Sequence, residues 1–197
     1  MSRLASGFSL AELVVALAVV ALGLTAGVPA LLNITSALRV RLATEELVAV
    51  LRTARSLAIE ADANVAVRFA TSPGGDVSFA IYRDGDGDGV LNEDIRSGVD
   101  PEVAPPRRLA HVGREVRLGL PSRPVRDPGD PTHWLDLTDP VRFNSSDLAS
   151  FSPFGGATPG SLYVTDGGDG LAVVRVYGRT GKVRVLTYDF HTQRWRQ

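Results

Sequence analysis

The stretch GFSLAELVVALAVVALG, residues 7–23, opens an apolar run that carries one carboxylate, Glu12, near its head. From Leu13 to Leu32 no charged residue occurs. At about 1.5 Å per helical residue, such a run matches the roughly 30 Å hydrocarbon thickness of a bilayer. Arg3 and the amino terminus are the only positive groups ahead of it, so the charge bias predicts a cytoplasmic N-terminus with the rest of the chain outside. Glu12 is the anomaly, because a carboxylate in hydrocarbon is costly without a partner. Three readings compete. A cleaved secretory signal and a plain membrane anchor both leave Glu12 unrewarded. In the third, the unrewarded cost of Glu12 is offset by a partner for its carboxylate.

Beyond Pro29 the helical pattern continues. Leu38, Leu42, Leu47, Leu51, Ala54 and Ala58 recur at helical spacing with charged residues between them, and neither proline nor glycine intervenes between Asn33 and Asp62. The spacing predicts a nearly continuous helix from about Leu10 to Ala63, its second half packed on a sheet. Short alternating or β-branched stretches follow at 64–70, 77–83, 115–120, 141–143, 161–165, 171–177 and 182–190, separated by turn sequences such as DGGDG and GRTG. The plan is α+β, a long helix followed by antiparallel strands. Residues 100–140 hold eight of the twelve prolines and read as a long surface loop.

The chain has no cysteine, which excludes disulfides and thiol chemistry. Its net charge of −1 hides an asymmetry: residues 175–197 hold six Lys/Arg against one acid, leaving 15 basic and 21 acidic residues elsewhere. His111, His133 and His191 have no ligand spacing, and no nucleophile elbow or phosphate loop is present. Asp169 and His191 could meet in space. No enzyme is expected.

The residues GFSLAE resemble the processing motif of type IV prepilins and type II secretion pseudopilins. The resemblance implies cleavage between Gly7 and Phe8 by a prepilin peptidase, which also methylates Phe8, and it makes Glu12 the fifth mature residue. The Glu12 carboxylate would then neutralise the new amino group of a neighbouring subunit. The segment FSPFGGATPGSLYVTDGGDGLAVVRVYGRTGKVRV is similar to the end of pseudopilins and minor pilins of the GspH/FimT type, in which an F-x-P-x-G element precedes a hairpin with a G-[RK]-x-[RK] step. The implied fold is the type IV pilin fold, a long N-terminal helix whose membrane-spanning first half leads into a part packed on an antiparallel β-sheet. The implied organisation is a leader at 1–7, a transmembrane and assembly helix at 8–32, its amphipathic continuation at 33–63, and a β-rich periplasmic domain at 64–197. The implied protein is a single-pass inner-membrane subunit of a pilus or pseudopilus. Its partners would be the peptidase, other pilins or pseudopilins, the inner-membrane assembly platform and membrane lipid. The alternative is a DNA-binding minor pilin of an uptake machine.

Two clusters carry chemistry. DGDGDGVLNED, 84–94, places Asp84, Asp86 and Asp88 at alternate positions before Gly89, the first half of a calcium loop. The twelfth position is Ile95, so this is no complete EF-hand, and closure needs the Val90 carbonyl with Glu93, Asp94 or Asp100. The alternative is an acidic turn. At the basic end, Lys182, Arg184, Arg194 and Arg196, with Trp195 between the last two, are candidate contacts to DNA phosphates and a base. The alternative is a solvated strand face.

Overall fold

The structure is a computed structural model that describes residues 9–197 except Arg114, with the side chains of 26–34 left aside. It divides into two compact units, Met1–Ala37 and Leu38–Gln197. The helix α1 (Leu10–Ala61) runs through both. Its start is fixed by a reciprocal cap: Ser9 Oγ accepts from the Glu12 N–H at 3.2 Å, and the Glu12 carboxylate accepts from the Ser9 N–H at 2.9 Å. Its end is a left-handed Asp62 (φ 48°) with the Ala63 N–H bonded back to the Ala58 carbonyl, the geometry of a Schellman stop.

The expectation of a single-pass inner-membrane protein with a periplasmic domain is overturned: among the described residues no helix is long and apolar enough to cross a membrane. The Pro29 side chain lies outside the described residues, as do the leader 1–7, Phe8 and the cleavage position between them.

In the second unit the strands form two sheets where one was expected. The first has the order β3 (Glu102–Arg108), β2 (Val77–Arg83), β1 (Val65–Thr71), β6 (Leu148–Phe151). The second runs β10 (Arg194–Arg196), β9 (Lys182–Asp189), β8 (Leu171–Tyr177), β7 (Gly160–Thr165), β4 (Arg117–Leu118), with β5 (Val141–Arg142) also on β7. All named pairings are antiparallel. The apolar stripe of α1, Val40, Ala43, Leu47, Leu51, Ala54 and Ala58, is buried against one face of each sheet, through Val65, Val67 and Phe151 on the first and Leu162, Val174 and Val183 on the second. Truncating Leu47 or Leu51 there costs about 2–5 kcal/mol.

The proline-rich segment 100–140 is more structured than a surface loop. It supplies β3 and β4, and its Val125 and Leu135 cover the outer face of the second sheet with Tyr163, Val173 and Tyr188. On the outer face of the first sheet, Val90 packs with Ala66 and Leu148, and Ile95 of the short helix α2 (Asn92–Ser97) leans on them. That packing seats the acidic loop.

Candidate functional site

The acidic loop begins where β2 ends. Asp84 is buried, and its carboxylate gathers the chain around itself: Oδ1 accepts from the Gly87 N–H at 2.7 Å and the Asp86 N–H at 3.3 Å, while Oδ2 accepts from Asn64 Nδ2 at 2.8 Å and the Gly89 N–H at 2.9 Å. The turn needs left-handed backbone at Gly87 (φ 95°) and Gly89 (φ 106°), which glycine alone adopts cheaply. Asp100, 1% exposed, closes the loop from the other side, accepting from the Gly85 N–H at 3.0 Å and the Leu91 N–H at 2.9 Å.

One carboxylate oxygen from each of Asp84, Asp86 and Asp88 lies within 4.8 Å of the other two. Burial works to raise the Asp84 carboxyl, but the Asn64 amide and the backbone donors outweigh it and hold the group below the usual range. Desolvation and the Asp86 charge push Asp88 up. Desolvation followed by Asp86, Asp100 and Glu93 does the same to Asp94. Four acceptor positions of Asp84 are already filled, so Asp84 organises the loop and ligates only by releasing its long contact to the Asp86 N–H. The donor set fits a hard cation that Asp86 and Asp88 would hold directly. Asp100, named as a closing ligand, spends both oxygens on backbone; Asp94 stands on α2 within electrostatic reach, and Val90 serves as the buried anchor.

The basic end does not form one patch. Register pairs Trp195 with Tyr188, and both belong to the outer cluster of the second sheet. Strand alternation therefore puts Lys182 and Arg184 on that outer face and Arg194 and Arg196 on the opposite one. Arg196 is paired with Asp189 at 2.7 Å. Trp195 is not free to stack on a base: its Nε1–H donates to the Arg126 carbonyl at 2.6 Å, and its ring packs edge-on against Tyr188 at 4.9 Å. What sequence reading missed is a row across the outer face, Arg142–Ser161–Arg175–Arg184, set by register. Arg175 and Arg184 flank the Tyr177 ring at 5.7 and 6.0 Å, with no ion pair among the described residues.

At the N-terminal end, Glu12 is engaged with Ser9, and the S-x-x-E spacing that could have revealed the cap stands in the sequence. Gly7 and Phe8 lie outside the described residues. Asp169 pairs with Arg123 and does not meet His191, whose N–H is bonded to Asp189.

These parts define an α+β chain with an acidic loop, a basic sheet face and a helix that is apolar and exposed at its head. Compared with known proteins, the chain matches no family model, no curated protein and no solved structure.

Proposed function

We propose that the protein is a non-catalytic filament subunit of the minor pilin or pseudopilin kind, cut between Gly7 and Phe8 and assembled through the head of α1. The observation that carries this reading is the surface of that head: Leu10, Leu13, Val14, Val15, Leu17, Val19, Val20, Leu22 and Leu24 are all exposed. A helix apolar on every side is stable only when covered, and copies of the same helix, with Glu12 meeting a neighbour's amino group, supply a cover and a register. Intact-mass and N-terminal peptide analysis of the protein made in cells with a prepilin peptidase tests this. A mature chain starting at a methylated Phe8 is expected. A chain keeping Met1, or beginning after Ala26, overturns it.

DNA contact is a second reading, favoured by the outward Lys182, Arg175 and Arg184. It requires duplex binding that weakens steeply with salt. Calcium held at Asp86 and Asp88 is compatible with either role.

A further inference from the structure

Phe154 is 94% exposed, the most exposed of the large apolar side chains described. Its loop is rigid. Between β6 and β7 the Ser152 N–H donates to the Gly156 carbonyl at 2.9 Å, the Gly155 N–H to the Ser152 carbonyl at 3.1 Å and the Gly156 N–H to Ser152 Oγ at 3.2 Å. Phe151, three residues earlier, is fully buried. The loop thus fixes one aromatic in the core and holds the other in water, where a large apolar group is stabilised only by a partner.

Arginines stand on the elements beside it. A Cβ at Gly155 would lie 3.7 Å from Arg55 Nη2, and one at Gly181 would lie 3.2 Å from Arg55 Nε and 2.7 Å from the Gly155 carbonyl. The Phe154 loop, the β8–β9 turn and Arg55 of α1 therefore meet. Arg52 stands one turn earlier on the same side of α1, and Arg179 stands on the turn. None of these three arginines has an ion pair among the described residues. Arg55 Nε is buried without a hydrogen-bond partner.

On the other side of α1 is a hollow of about 500 Å³. Leu57, Val65, Pro101 and Val103 give it an apolar lining, and Glu60 and Glu102 line it with Arg83. Leu57 is two residues from Arg55, about 200° around the helix, so Arg55 beside the Phe154 loop and Leu57 of the hollow stand on opposite sides of α1.

We infer that Phe154 of one copy of this chain inserts into the hollow of a second copy, with Arg52 and Arg179 facing Glu60 and Glu102. Apolar knob meets apolar floor, and the basic rim meets the acidic one. Because the two surfaces differ, the contact is head-to-tail, and each copy keeps a free knob or hollow for a further copy. The inference rests on the filament reading and assigns that filament a lateral contact between the second units.

The test uses the full chain, which has no cysteine of its own. The double variant Phe154→Cys/Val103→Cys, oxidised and run without reductant, is expected to give a ladder of dimers, trimers and higher species. Each single variant stops at dimers, and a control pair, Phe154→Cys/Leu91→Cys, gives no ladder. In the double-cysteine background, Glu60→Lys with Glu102→Lys should cut the ladder at least several-fold, and adding Arg52→Glu with Arg179→Glu should restore it. Sedimentation of the unsubstituted chain is measured beside it. Sedimenting assemblies without the 154–103 ladder, or a ladder indifferent to the charge changes, overturn this contact and leave the filament reading standing. A charge-dependent ladder in a chain that forms no sedimenting assembly supports the contact and removes the filament. Neither ladder nor assembly removes both.

Discussion

Replacing Asp100 with alanine should destabilise the second unit. The carboxylate accepts two backbone N–H groups six residues apart, Gly85 and Leu91, from a side chain with almost no contact with water. Hydrogen bonds to a charged acceptor are worth about 1.5–3 kcal/mol each. Leu91 is 44% exposed, so water can reach its amide once the carboxylate is gone, and the lower end of the range applies there. The expected loss is about 3 kcal/mol for Asp100→Ala and about half that for Asp100→Asn, which keeps one acceptor oxygen. At about 2–4 °C per kcal/mol for a domain of this size, the alanine variant should melt roughly 6–12 °C lower. Urea unfolding gives the free energy, and hydrogen exchange at the Gly85 and Leu91 amides shows whether the loss is local to the loop. The control is Glu93→Ala, an exposed carboxylate on α2. If Asp100→Ala is no less stable than Glu93→Ala, or if the two amides stay as protected as before, Asp100 does not hold the loop and the reasoning fails.

Ser9→Ala and Glu12→Ala should separate the two jobs of Glu12: both remove the helix cap, but only Glu12→Ala should abolish sedimenting assemblies, and equal effects would reduce Glu12 to a cap. Calcium at a hundredfold excess over its Kd should raise the melting temperature by roughly 5 °C or more, with no response from the combined Asp84→Asn, Asp86→Asn and Asp88→Asn variant; an equal response in both would remove the site. Asp88 and Asp94 are pushed up, so they take up protons at a higher pH than ordinary carboxylates, and the calcium response should fade as pH drops into their titration range; titration at two pH values checks the sign. The depressed Asp84 runs the other way for the metal-free fold: its contribution is fully present above the ordinary carboxylate range and is lost as pH falls through its lowered value. Gly160→Ala should cost about 1–3 kcal/mol or more by overpacking, because a Cβ there would collide with the Phe143 ring and the Arg142 carbonyl; an unchanged urea midpoint would refute it.

Much of the fold is legible in the sequence where one physical signal dominates. The stripe read from Leu38 to Ala58 and the alternation in 77–83 and 171–177 place α1, β2 and β8 almost to the residue, although Leu38 and Leu42 are exposed and Val40 and Ala43 take the buried positions of that part of α1. β3 was hidden by Pro105 and Pro106, which argue against a strand. It forms because it is the edge of its sheet, where a missing N–H costs little, and because its register against β2 slips between Phe79 and Ile81, opposite those prolines. β6 and β10 are too short to show a period. EVRLGL, read as a six-residue strand, pairs over only Arg117 and Leu118. In the acidic loop the spacing of Asp84, Asp86 and Asp88 identified the cluster, but spacing is blind to which oxygens are already occupied. That Asp84 and Asp100 bind backbone while Asp86 and Asp88 face water depends on burial against β1 and β6. The basic end was misjudged for a related reason: adjacency along the chain concealed the hairpin that turns Arg194 and Arg196 to the opposite face from Lys182 and Arg184.

β1 lies between a neighbour that follows it within a few residues, β2, and one that the chain reaches only at Leu148–Phe151. On a ribosome, the β1–β2 hairpin therefore emerges long before β6. Until then one edge of β1, lined by the backbone of Val65 to Arg68, has no hydrogen-bond partner of its own chain. An unpaired apolar edge on a nascent polypeptide is the kind of surface that chaperones hold and that neighbouring nascent chains can pair with. Production of this protein should thus be limited by the interval between the synthesis of β1 and that of β6, and slowing translation within residues 84–147 should increase the fraction lost to aggregation.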